Sequence, residues 1–129
     1  MEEFTVYIEN KPGSLARVSE VLSRNGVNIE AIATEGTKKD GTIKIITNDS
    51  NTTREALEKA RIHFTVKEVL SANVINRPGE LAKLTRKIAN ERINVESIYI
   101  IGNGKFAIRT DDMEKAKGIL KERKKKGAI

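Results

Sequence analysis

Phe4, Val6 and Ile8 alternate with Thr5, Tyr7 and Glu9, the period-2 arrangement of a strand with one buried face. The alternation stops at Asn10-Lys11-Pro12-Gly13, a run of turn-forming residues. From Ser14 the apolar residues take helical spacing, with Leu15, Val18 and Leu22 on one stripe and Ala16 and Val21 widening it. Asn25-Gly26 is a helix stop. A second strand is predicted over residues 27–34, a turn over 35–41 and a third strand over 42–47. Asn51-Thr52-Thr53 offers an N-cap for a helix over 54–62 that turns Ala56, Leu57 and Ala60 inward. Residues 64–69 read as a fourth strand.

The pattern then repeats. Displaced by 66 positions, residues 4–36 fall on 70–102 without a gap, and nine of these 33 positions are identical. Ordinary composition would give roughly two matches by chance. Both prolines of the chain, Pro12 and Pro78, occupy the same repeat position. Asn10/Asn76, Gly13/Gly79, Leu15/Leu81, Asn28/Asn94, Ile32/Ile98 and Gly36/Gly102 coincide as well, and Lys11/Arg77 and Arg17/Lys83 match in charge. Further on the offset falls to 63, so the second copy is three residues shorter between its middle strands. Its hairpin is closed by Gly102-Asn103-Gly104, and its second helix, over about 113–123, carries Met113, Ala116 and Leu120 inward. Gly127-Ala128-Ile129 is left for a short last strand.

Strand-helix-strand-strand-helix-strand, twice over, predicts an α+β chain of two tandem ferredoxin-like βαββαβ domains, residues 1–66 and 67–129, with antiparallel sheets and helices on one face. A domain of this size buries only about 60% of its unfolded surface. Ile46, Ile98 and Ile100 fall out of phase with the core-facing residues of their strands. Both features predict a homodimer or larger assembly joined through sheet edges or first helices.

Composition removes several functions. There is no cysteine and one histidine, His63, expected at a helix end, so thiolate chemistry and a paired-histidine metal site are excluded. There is no Gly-rich phosphate loop and no Ser-His-Asp set, and no cofactor is expected. No apolar stretch approaches the ~20 residues of a membrane span, and Met1-Glu2-Glu3 begins acidic, so the chain is read as cytoplasmic, with no membrane partner. The net charge of +6 divides into −1 over residues 1–66 (9 basic, 10 acidic) and +7 over 67–129 (15 basic, 8 acidic). Much of the excess is the run Lys121 to Lys126, read as a solvated helix end that complements the helix dipole. No aromatic residues interleave it, and the middle strands offer only Tyr99 and Phe106 for base stacking, so nucleic acid is not expected as a partner.

Ile8-Glu9-Asn10-Lys11-Pro12-Gly13-Ser14-Leu15-Ala16, followed by Asn25-Gly26-Val27-Asn28-Ile29, resembles an ACT domain. Val74-Ile75-Asn76-Arg77-Pro78-Gly79-Glu80-Leu81-Ala82, followed by Arg92-Ile93-Asn94-Val95, resembles a second. The resemblance implies a ligand-binding regulatory protein without catalysis, holding an amino acid at ACT–ACT interfaces and acting on an associated enzyme. It implies a site built from Asn10, Lys11, Pro12, Gly13, Ser14, Leu15, Asn28 and Ile29, with Asn76, Arg77, Pro78, Gly79 and Asn94 in the second copy. The residues suit this. Gly13 lets the main chain be approached, the helix start offers N–H donors to a carboxylate, and an Asn amide can meet both ammonium and carboxylate. Asn-x-Pro-Gly equally suits an Asx turn that caps a helix, and Asn28 equally suits a tie at a strand entrance. The shorter hairpin of the second copy marks it as the one in which a site would degenerate. The alternative is an interaction module that regulates an enzyme or a transcription factor through an exposed sheet and binds no ligand.

Overall fold

The computed structural model describes residues 1–102 and 104–125, with side chains as far as residue 121. The chain divides into two compact units, Met1–Glu68 and Val69–Ile129. The first contains β1 (Glu2–Glu9), α1 (Ser14–Arg24), β2 (Ile29–Gly36), β3 (Asp40–Thr47), α2 (Ser50–Lys59) and β4 (Phe64–Glu68). Its four strands lie in the order β2-β3-β1-β4, and every neighbouring pair is antiparallel. The second contains β5 (Leu70–Asn73), α3 (Glu80–Asn90), β6 (Val95–Ile100), β7 (Lys105–Thr110) and α4 (Met113–Lys125). Its described strands run β5-β7-β6, matching β1-β3-β2 of the first unit. This is the expected tandem ferredoxin-like α+β fold. Asn103 of the hairpin and the expected last strand, Gly127-Ala128-Ile129, lie outside the described residues.

Register explains the first core. Phe4 pairs with Ile45 and Val6 with Ile43, so these four side chains leave the sheet on the same face. Val18, Val21 and Leu22 of α1 and Ala56 and Leu57 of α2 close over them. Burying each of the larger of these side chains contributes about 1.5–3 kcal/mol. In the second unit Leu84 and Ile88 of α3 and Ile119 of α4 pack with Val74, Phe106 and Ile108.

The structure departs from the sequence pattern in four places. Leu15 and Ala16 were expected in the helical stripe, but both are exposed, as is Leu81. They lie in the first turn, beyond the edge of the core. The second helix starts at Ser50 rather than 54, because Asp49 is its cap: Oδ1 accepts from Thr52 N–H at 3.0 Å and Oδ2 from the Thr52 hydroxyl at 2.6 Å. These bonds hold the Asp49 carboxyl below its ordinary pKa. Of the out-of-phase isoleucines, Ile98 and Ile100 are exposed while Ile46 is fully buried. Ile119, outside the expected stripe of the last helix, is buried beside Ala116.

Candidate functional site

In the first unit an open cleft of about 960 Å³ lies where the end of β1, the start of α1, the β2–β3 hairpin and the α2–β4 turn converge. Lys11, Pro12, Gly13 and Ser14 form one wall. Lys11 N–H donates to Glu9 O at 3.0 Å and Ser14 N–H to Lys11 O at 3.3 Å, folding the chain back on itself. Gly13 is the N-cap residue of α1 with φ 91°, a left-handed conformation that any side chain would strain. It has no side chain to cap the helix, and the first turn of α1 carries no acidic residue. The helix start therefore presents N–H donors and partial positive charge to the cleft.

Asn10 does not cap this helix. Its amide nitrogen donates to Thr37 O at 3.2 Å and Lys38 O at 3.4 Å, and its backbone N–H donates to Lys39 O at 2.8 Å. Asn10 thus ties the β1–α1 turn to the β2–β3 hairpin. The amide donor is spent there, leaving Oδ1 as an acceptor. Gly36 makes this possible, since a Cβ at that position would stand 2.6 Å from Asn10 Oδ1.

Asn28 lies at the far end of the same sheet. Ile29 pairs with Thr47 at one end of β3, whereas Asp40 at the other end pairs with Glu9. The length of an eight-residue strand, roughly 25 Å, separates Asn28 from the Asn10 loop. The backbone of Asn28 is tied reciprocally to Asn48, its N–H to Asn48 Oδ1 at 3.0 Å and its carbonyl to Asn48 N–H at 3.2 Å. Its side-chain amide makes no hydrogen bond among the described residues and is exposed. Ile29 is half-buried against the core, and Leu15 is exposed at the start of α1. Within one unit, then, the Lys11–Ser14 turn and Asn28 do not meet.

The cleft also gathers residues outside the expected set. Arg17 lines it and donates from Nη2 to Ala60 O at 2.9 Å, joining α1 to the end of α2. Arg61 lines it from the α2–β4 turn with φ 57°, left-handed for a residue that has a Cβ. His63, expected at a helix end, follows that turn and faces the cleft, its ring centroid 5.2 Å from that of Tyr7. Glu9, Glu35 and Asp40 give the opposite side negative charge, with Glu9 paired to Lys11 at 3.4 Å. The Arg17/Lys83 pair of the repeat was the one signal of this in the sequence. The others depend on which loops share an end of the sheet.

The second unit builds the same turn with other side chains. Arg77 N–H donates to Ile75 O at 2.9 Å and Glu80 N–H to Arg77 O at 3.3 Å, and Gly79 is the N-cap with φ 90°. Glu80 stands where the first unit has Ser14. Its side chain is only 9% exposed, and its carboxylate lies 2.8 Å from Arg77 Nε and 3.7 Å from Lys83 Nζ. The hydrogen bond from Arg77 holds the Glu80 carboxyl below its ordinary pKa. Among the described residues the shorter hairpin meets the chain at Val74, whose N–H donates to Gly104 O at 2.6 Å. Asn94 is tied to Asp111 as Asn28 is to Asn48, with bonds of 2.9 and 3.0 Å. No group of three His, Asp or Glu among the described residues is placed to hold a metal ion.

A duplicated βαββαβ unit with a Pro-Gly turn opening each first helix is the arrangement of an ACT pair. The family model described as an ACT domain pair matches residues 1–127, and the chain belongs to that family. Among solved structures it is similar to protein BT0572 from Bacteroides thetaiotaomicron, at 28% identity over 95% of this chain and 88% of that one, with a TM-score of 0.88. The fold is shared with the ligand-free regulatory subunit of aspartate kinase from Thermus thermophilus: 19% identity over 93% and 87% of the two chains, TM-score 0.67. The corresponding subunit from Thermus flavus gives 16% identity over 93% and 88%, TM-score 0.64. No curated protein sequence matches the chain significantly. No helix among the described residues is long and apolar enough to cross a membrane.

Proposed function

We propose that this chain is a cytoplasmic, non-catalytic regulatory protein that binds an amino acid at the interface of paired ACT units and passes its occupancy to an associated enzyme. The observation that carries this reading is the cleft of the first unit, where the Lys11–Ser14 turn presents a helix start, with Asn10 beside it tying that turn to the hairpin. A carboxylate suits the N–H groups after Pro12, and an ammonium suits the Glu35 and Asp40 side of the cleft. The free amide of Asn28 completes the site from a second chain. β2 is an edge strand, and antiparallel pairing of two β2 edges sets the start of one beside the end of the other. Asn28 then approaches the corner formed by the partner's Gly36 and Asn10. A ligand that bridges two chains binds the paired state better than the separate one, and that difference is what a regulated enzyme would read.

Isothermal calorimetry against the twenty amino acids, with light scattering in parallel, tests the reading. At least one amino acid should give heat, with a homodimer or larger in solution. Asn10→Ala should cost about 1–2 kcal/mol of binding, roughly 5- to 30-fold in affinity. A monomer at tens of micromolar, or no heat with any amino acid, leaves the interaction-module reading. Ile98 and Ile100, exposed on the edge strand β6, favour that alternative.

A further inference from the structure

The duplication provides an internal comparison for the ligand site. In the second unit one carboxylate, that of Glu80, lies between Arg77 and Lys83 at the first turn of α3. Arg77 and Lys83 are the repeat counterparts of Lys11 and Arg17, and both of these line the cleft of the first unit. Glu80 replaces Ser14, which lines the same cleft and brings no charge. One copy therefore has two cations, a helix start and a carboxylate of its own, on a side chain that is nine-tenths buried. The other has a helix start at an open cleft and two cations whose partners lie elsewhere: Lys11 meets the exposed Glu9, and Arg17 meets Ala60 O.

We infer that Glu80 is a resident counterpart of the ligand's carboxylate, and that the first unit seats the carboxylate of its amino acid over Ser14 between Lys11 and Arg17. This deepens the reading above and rests on it for the identity of the ligand. It assigns Arg17 to carboxylate recognition and makes the residue at position 14 or 80 the switch between an open copy and a self-occupied one. A guanidinium or ammonium beside a carboxylate at a helix start forms charge-assisted bonds, and the carboxylate is equally served whether it is tethered or free. The second unit then binds no amino acid at this position, and one chain offers one such seat.

Two substitutions exchange the copies. Ser14→Glu gives the first unit the residue that the second already carries; it should keep the melting temperature and weaken amino-acid binding by more than about tenfold. Glu80→Ser should lower the melting temperature, and sodium acetate at tens of millimolar should restore part of the loss, with sodium chloride at equal ionic strength as the control. Acetate raising wild type and Glu80→Ser equally would overturn the inference, as would Ser14→Glu binding as tightly as wild type. If the wild type binds no amino acid, the proposed function fails but the acetate comparison still decides the role of Glu80. If Glu80→Ser does not fold, binding by Ser14→Glu decides it.

Discussion

The β1–α1 turn of the first unit and the β5–α3 turn of the second share their backbone almost to the degree, with Gly13 at φ 91° and Gly79 at φ 90°. Their surroundings differ. The first turn faces an open cleft and is tied through Asn10 to a long hairpin. In the second, the carboxylate of Glu80 is held by Arg77 and Lys83, and the hairpin, three residues shorter, meets the chain at Val74. Pro-Gly is thus the requirement of the turn, kept in both copies because the backbone demands it. What the turn does is set by the residue after it and by the length of the hairpin opposite.

The largest expected effect tests whether the two cores are comparable beneath these different loops. Leu57→Ala in the first unit and Leu84→Ala in the second each empty a fully buried site, and each should cost about 3 kcal/mol in denaturant unfolding. A cost well below 1 kcal/mol in either would mean that core relaxes where the other does not.

Gly36→Ala and Gly102→Ala break the loop comparison itself. A Cβ at Gly36 would collide with the Asn10 amide, whereas one at Gly102 meets nothing within 4 Å and has only a φ of 66° to contend with. Gly36→Ala should release the exposed Asn10 amide from Thr37 and Lys38 of the hairpin, at a cost of about 1 kcal/mol. Gly102→Ala should cost about 1 kcal/mol, the strain of a left-handed residue. A Gly36→Ala variant as stable as wild type would show that Asn10 is not held as described.

The smallest effect depends on pH. Glu80 has its carboxyl pKa lowered from 4.5 in the folded state, chiefly by the bond from Arg77. A lowered folded-state pKa contributes stability that is full above the unfolded value and is lost as pH falls through the folded value. Glu80→Gln should therefore destabilise the chain at pH 7 and flatten the acid limb of its stability profile below about pH 4.5. Serine at the matching position has no such dependence, so Ser14→Ala should leave that limb unchanged.

Much of this protein was legible in the sequence because its signals are local or repeated. Alternation at Phe4, Val6 and Ile8 and helical spacing at Val18 and Leu22 depend on backbone period alone, and the repeat doubled every such signal. The Pro-Gly turn, too, is a property of its own residues. The cap at Asp49 was hidden because Asn51, Thr52 and Thr53 suit the same position, and only the hydrogen bonds chose among them. Tertiary structure alone decided the rest. It set Asn10 and Asn28 at opposite ends of one sheet, and it brought Arg61 and His63 to the end that holds the Lys11–Ser14 turn. It also placed Glu80 between Arg77 and Lys83. Each of these depends on which strand ends and helix turns come together, and a period of two or of 3.6 residues carries no record of that.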